Sequence, residues 1–165
     1  MQISKALPIP TRCDNCNSDR MGLTSKSVIY GKEYGSWPYC YYCDDCGAIV
    51  GCHSNTYTPL GYMASSYVRR LRAKLHKVFD PIWQLRYLSR SQAYDWLASQ
   101  LCIETSNCHI SQMTQSQLEQ SLLILAAHKA NGYSQFQKRK IKNDARKSAR
   151  FSRENDRINR RRSGN

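Results

Sequence analysis

WPYCYYCDDCGAIVGCH, residues 37–53, is the stretch whose reading decides the fold of this chain. It holds four of the eight cysteines and closes on a histidine. A further close pair, Cys13 and Cys16, stands upstream. Two C-x-x-C pairs in a short chain point to one bound metal, zinc above all, because paired thiolates in tight turns converge on a tetrahedral ion. In Cys13-Asp-Asn-Cys16-Asn17 the residue after the second cysteine needs a positive φ, which Asn and Gly tolerate best. Asn17 meets that need, and Gly47 meets it after Cys46. Cys43 and Cys46 are therefore the better second pair, separated from Cys16 by a 26-residue spacer, with Cys40 and Cys43 as the competing pair.

The set Cys13, Cys16, Cys43 and Cys46 predicts one structural zinc ion in a closed site. Four protein thiolates leave no position for water, so zinc catalysis is not expected. Cys52-His53 reads as a strand end with a buried thiol and a polar histidine. Cys102, Cys108 and His109 lack a standard ligand spacing, and the two cysteines read as buried thiols.

Outward from the cysteines, period-two patterns predict short strands over Ser27–Tyr30, Trp37–Tyr42 and Ala48–Cys52. Residues 1–58 are then a zinc ribbon that needs its metal to fold, because so small a unit buries little apolar surface. Past Pro59-Leu-Gly61 the period moves to near 3.6, and Ala64, Val68, Leu71, Leu75, Val78 and Phe79 share one side of a helix from about Gly61 to Phe79. Asp80-Pro81 reads as an N-cap followed by a first-turn proline, opening a short helix over Ile82–Leu88. Ser89-x-x-Gln92 and Thr114-x-x-Gln117 read as capping boxes for two more helices. The second of these is apolar most of the way round, which predicts the central helix of a bundle ended by Asn131-Gly132. The fold class is thus α+β: a small four-cysteine zinc ribbon of about three short antiparallel strands packed on an α-helical unit over residues 59–132. A basic C-terminal tail over 133–165, disordered or conditionally helical, follows.

Charge supplies the functional signal. The net charge of +13 is uneven: residues 133–165 carry twelve Lys or Arg against three Asp or Glu, and residues 1–132 carry thirteen against nine. A polyanion is the natural partner of such a tail. The candidate nucleic-acid contacts there are Lys138, Arg139, Lys140, Lys142, Arg146, Lys147, Arg150, Arg153, Arg157, Arg160, Arg161 and Arg162. On the first helix they are Arg69, Arg70, Arg72, Lys74 and Lys77, on a face without acids. Trp37, Tyr39 and Tyr41 fall on one strand face and read as a packing seam between ribbon and helices. The chain has no GxSxG, P-loop or HExxH pattern, so no enzyme is expected. Met1–Pro10 lacks the apolar segment of a leader, and no run approaches a membrane span. Reduced thiols in a cytoplasm are the expected setting.

Several short runs, in one order, carry a resemblance. They are Ser27-Val-Ile-Tyr-Gly-Lys-Glu-Tyr-Gly35, Cys43-x-x-Cys46-Gly-Ala-x-Val-Gly-Cys-His53 and Pro59-Leu-Gly61. Leu71-Arg72, His76, Phe79-Asp80-Pro81-x-Trp83, Ser89-Arg-x-x-Ala-Tyr-x-Trp-Leu97 and Cys108-His109-Ile110 continue them. Together, over about residues 12–125, the chain resembles a family of small zinc-finger-containing proteins found mainly in phages and prophages. The resemblance implies Cys13, Cys16, Cys43 and Cys46 as zinc ligands, a phage or prophage origin and action in the bacterial host cytoplasm. It implies no particular activity. Cys40 is extra to the pattern, and Ser111 stands where glycine is expected. The reading that joins these signals is a non-enzymatic, phage-encoded nucleic-acid-binding protein, DNA or RNA. The alternative is a phage factor that binds a host protein, ribosome or other ribonucleoprotein as an interaction module.

Overall fold

The computed structural model describes residues 7–33, 35–130 and 134–162; within these, the side chains of 130, 134, 135, 137–139, 143, 155, 156 and 158–162 are left undescribed. The apolar, aromatic run 39–43 becomes the middle strand of a three-stranded antiparallel sheet. Its order is β1 (Met21–Ser25), β2 (Tyr39–Cys43), β3 (Ile49–Gly51). β1 meets β2 with Met21 opposite Cys43, and β2 meets β3 with Tyr42 opposite Ile49.

The strand expected over Ser27–Tyr30 is instead a short helix, α1 (Lys26–Tyr30). The Ser25 side chain accepts the Ser27 N–H at its start, and Gly31, at φ 67°, closes its end. Val28 and Ile29 suit a strand by propensity, but a cap at one end and a left-handed glycine at the other decide for one turn of helix. Val28 is left 76% exposed. The true first strand lies just before it.

Ser65 caps α2 (Ser66–Phe79), which therefore begins five residues later than Gly61. The residues in between stay extended: Ala64 bridges Ile49, and Pro59 bridges Cys52, so the sheet holds the chain as far as Ala64. Gly61 passes so close to Ser111 that a Cβ there would lie 2.4 Å from the Ser111 carbonyl oxygen. α2 buries Leu71, Leu75 and Phe79, as its period predicts.

α3 (Pro81–Gln84) is one turn long rather than running to Leu88. Pro81 takes the first-turn position, but the Asp80 side chain makes no cap and instead meets His76 at 3.3 Å. Ser89 and Gln92 form the expected capping box of α4 (Arg90–Leu101). Thr114 and Gln117 exchange the same pair of hydrogen bonds at the start of α5 (Gln115–Ala130). α5 packs on α2 and α4. It is not enclosed all round, since Leu123 is 73% exposed while Leu118 and Leu125 are buried. The expected stop at Asn131-Gly132 lies outside the described residues.

α6 (Ser134–Arg162) is a 29-residue helix. It does not begin as a free tail. Phe136 is fully buried in the helical core, with its ring 5.0 Å from Trp96. The packed part of the chain therefore passes residue 132 and includes the start of the basic segment.

Two apolar clusters result. One lies among the helices around Leu75, Phe79, Leu97, Ile110 and Leu118. The other lies in the ribbon around Cys13, Tyr41, Cys43, Ala48, Val50 and Met63. Trp37 and Tyr39 pack on this second cluster and not on the helices. Tyr39 meets Tyr57 edge to face at 5.3 Å, and the Trp37 indole N–H donates to the Thr56 carbonyl at 2.8 Å. The aromatic face thus seals the ribbon against its own 53–58 loop. An edge-to-face pair and one indole hydrogen bond hold these rings without a second domain.

Candidate metal centre

The two cysteine pairs sit in turns built alike. In the first, the Asn17 N–H donates to the Cys13 carbonyl at 2.8 Å, and the Cys13 N–H donates to the Ser18 carbonyl at 2.8 Å. In the second, the Gly47 N–H donates to the Cys43 carbonyl at 2.9 Å, and the Cys43 N–H donates to the Ala48 carbonyl at 3.0 Å. Asn17 at φ 60° and Gly47 at φ 68° occupy matching left-handed positions. The positive-φ reading of both residues is borne out.

Across the gap, the Cys13 and Cys46 sulfurs are 3.6 Å apart, and those of Cys16 and Cys43 are 3.7 Å apart. All four lie within 4.8 Å of one another. A tetrahedral zinc with bonds of about 2.3 Å needs sulfur–sulfur edges of about 3.8 Å. The cage fits that ion. Cys13 and Cys43 are buried, Cys46 half-buried and Cys16 exposed. The Asn15 amide donates to the Cys46 sulfur at 3.4 Å, an outer contact of the kind that orients a thiolate ligand. Asp45 fastens the turns together: it accepts the Ser18 hydroxyl and pairs with Arg20 at 3.1 Å.

Strand geometry removes Cys40 from the competition. Cys40 and Cys43 are three residues apart on β2, so their side chains leave opposite faces. Cys40 is fully buried on the far face, beside the Thr24 carbonyl at 3.7 Å. Burial raises the thiols of Cys40 and Cys52, and raises Cys108 to about 11. These are unreactive interior sulfurs. Cys52 is buried, as expected, and His53 is exposed. Cys102 is not the buried thiol expected: it stands exposed at the end of α4 with φ 54°.

Crowding of the four thiols shapes their protonation. Burial raises Cys13. At Cys16 the Ser18 N–H favours the thiolate, but the Cys46 sulfur, desolvation and the other two thiols outweigh it and push Cys16 up to about 12. Burial opposes ionisation of Cys46 too, yet the Ala48 N–H, the Asn15 amide and the Cys16 and Cys13 thiols bring it down to about 7. Near neutrality, then, Cys46 ionises more readily than Cys13 and Cys16, which still hold protons that zinc must displace. The sign follows: protons compete with zinc, so affinity falls as pH falls. Each proton released on binding lowers the apparent affinity about tenfold per pH unit, and at least the Cys13 and Cys16 protons must leave, so the drop should be about a hundredfold per pH unit or steeper near neutrality. Competition with a chromogenic chelator across pH reads this directly, and a flat profile would contradict it.

Two turns of matched geometry, converging on one tetrahedral thiolate cage beside a three-stranded sheet, define a structural zinc-binding protein of ribbon type. The chain belongs to the zinc-finger-containing domain family, which it matches over residues 9–128. No curated protein and no solved structure matches it. The family span ends before α6.

The basic residues are not brought together into one face. Arg70, Lys74 and Lys77 are exposed on α2. Arg69 and Arg72 are half-buried and already engaged: Arg69 donates to the Tyr30 hydroxyl at 3.1 Å, and Arg72 to the Tyr62 carbonyl at 2.9 Å. Burial pushes the Arg72 pKa down, opposed by Asp14. Asp14 in turn accepts the Met63 N–H at 2.7 Å, which ties the first metal turn to the chain entering α2. These two arginines are therefore joints between ribbon and helices, a role that a helical wheel does not reveal. On α6, Lys142, Arg146, Lys147, Arg150, Arg153 and Arg157 are exposed. Lys140 is half-buried, with its ammonium 5.5 Å from the Tyr87 ring centre and 3.4 Å from the Leu85 carbonyl. The side chains of Lys138, Arg139, Arg160, Arg161 and Arg162 lie outside the described residues. Phe136 was missed as a core residue, since one aromatic in a basic run gives no periodic signal.

Proposed function

We propose that this is a non-enzymatic nucleic-acid-binding protein in which zinc holds the scaffold and α6, with the exposed face of α2, contacts phosphates. The carrying observation is α6. Its exposed cations recur along the helix, and among the described residues no carboxylate pairs with them. Cations spaced along a rod match a polyphosphate, each contact adding salt-dependent affinity without reading bases. The closed thiolate shell supports the non-enzymatic part of the reading, since it leaves the metal no position for substrate or water. The sequence resemblance supports a phage-encoded protein acting in the bacterial host cytoplasm. Among the described residues no helix is long and apolar enough to cross a membrane.

The test is fluorescence anisotropy of the zinc-loaded protein with labelled RNA, single-stranded DNA and duplex DNA of about 20 nucleotides across salt concentration. The expected result is a log–log salt slope of magnitude about 4 or more. No binding at low salt would defeat the proposal.

A second reading, a module that docks on a host protein, has its own observation. β1 is an edge strand, and its Leu23 and the Val28 of α1 stand exposed along a hollow of about 470 Å³ that also includes Tyr42. Binding of a partner that survives loss of α6 and is insensitive to salt would favour this reading.

A further inference from the structure

A cleft of about 900 Å³ runs between α6 and the turn joining α3 to α4. Arg86 lines it from the turn; Lys140, Arg146 and Lys147 line it from α6, with Asp144 as the one acid among the lining residues. An adjoining hollow of about 450 Å³ shares Arg146 and adds Lys142.

Arg86 is the unusual residue. Its N–H donates to the Trp83 carbonyl at 3.0 Å, and the Tyr87 N–H donates to the Ile82 carbonyl at 3.1 Å, which closes the end of α3. Helix ends of this hydrogen-bond pattern place their next residue in the left-handed region and favour glycine there. Arg86 occupies it at φ 60°. A side chain there strains the fold, and such strain concentrates where a side chain has work to do. The rest of the cleft agrees with that. The Arg90 guanidinium lies 5.5 Å from the Trp83 ring centre, and Lys140 lies over Tyr87 at the same distance, so rings brace the cations around the cleft.

We propose that this cleft grips the phosphates of a nucleic-acid strand, with Arg86 closing the grip across from Arg146 and Lys147. The inference rests on the nucleic-acid reading of α6 and adds to it a second wall and a named residue. Guanidinium forks suit phosphate oxygens, and a cleft with cations along α6 and Arg86 on its other wall suits a linear polyanion better than one exposed helix does. Contacts of this kind position a strand and do not read its bases.

The discriminating variant is Arg86→Gly, which removes the side chain and relieves the backbone, so it tests binding without threatening the fold. Zinc-loaded intact protein is titrated with labelled single-stranded RNA, single-stranded DNA and duplex DNA. Expected is a melting temperature equal to or above that of the parent, together with affinity lower by about threefold to tenfold and a salt slope smaller by about 0.7–0.9. The slope separates the sources: nearer about 0.7 for a single strand, nearer about 0.9 for B-form DNA. Lys32→Ala, which removes one exposed ribbon charge, should leave affinity unchanged. Unaltered affinity in Arg86→Gly, where the parent binds, would overturn the cleft while leaving α6 as the contact surface. An equal loss in Lys32→Ala would overturn it too, since net charge alone would then explain the effect. Equal competition by polyglutamate of matched charge would overturn the nucleic-acid reading of the cleft in favour of an acidic protein. No binding by the parent would defeat both the cleft and the function on which it rests.

Discussion

Protein carrying Cys43→Ser will purify without zinc and with its ribbon unfolded, whereas Cys40→Ser protein will hold one ion per chain. The two cysteines stand three residues apart on one strand, and strand alternation alone separates their fates. Cys43 faces Cys16 at 3.7 Å inside the cage; Cys40 lies buried on the opposite face against β1. Without Cys43 the tetrahedron loses a thiolate, and the ribbon keeps only a handful of buried side chains to hold its sheet. Structural zinc in small fingers contributes about 10–16 kcal/mol to folding near neutral pH, whereas the gain from burying that small cluster is largely offset by the chain entropy of ordering the ribbon. Zinc content by mass spectrometry and amide exchange over 13–52 measure both effects. The helices keep their own core and should remain folded. Zinc lost from Cys40→Ser, or retained by Cys43→Ser, would assign the ligands wrongly.

Charge reversal on α6 carries the next largest effect. Replacing Arg146, Lys147 and Arg150 with glutamate should weaken binding to a strand of about 20 nucleotides about a thousandfold near ~100 mM salt and lower the salt slope by about 2–3. All three side chains are exposed, so zinc content and melting temperature should stay near those of the parent. The same reversal at Arg70, Lys74 and Lys77 asks whether α2 lies in the same path. Affinity within twofold of the parent after the α6 reversal would remove α6 as the contact surface. Phe136 makes the substitution preferable to truncation, because cutting before it would also remove a fully buried ring from the helical core.

Much of the centre was legible from local chemistry. A C-x-x-C turn followed by Asn17 or Gly47 states its own backbone, because only certain residues accept a left-handed φ cheaply. The capping boxes at Ser89 and Thr114 were legible for the same reason: partners three residues apart meet without help from the rest of the chain. The strand assigned to Ser27–Tyr30 failed because β-branched composition spoke louder than the Ser25 cap and the Gly31 stop.

By itself, then, the sequence determined the two cysteine turns, the α+β class, the capping boxes that open α4 and α5 and the concentration of charge near the C-terminus. Each depends on residues close in the chain or on composition. Tertiary structure decided which face of β2 Cys40 occupies, that Arg69 and Arg72 join ribbon to helices, that Phe136 roots α6 in the core, and that Arg86 and Arg146 line one cleft. The physical reason is common to all four. A side chain's neighbours across a sheet, a domain joint or a cleft come from distant segments, and no local periodicity records where those segments will meet.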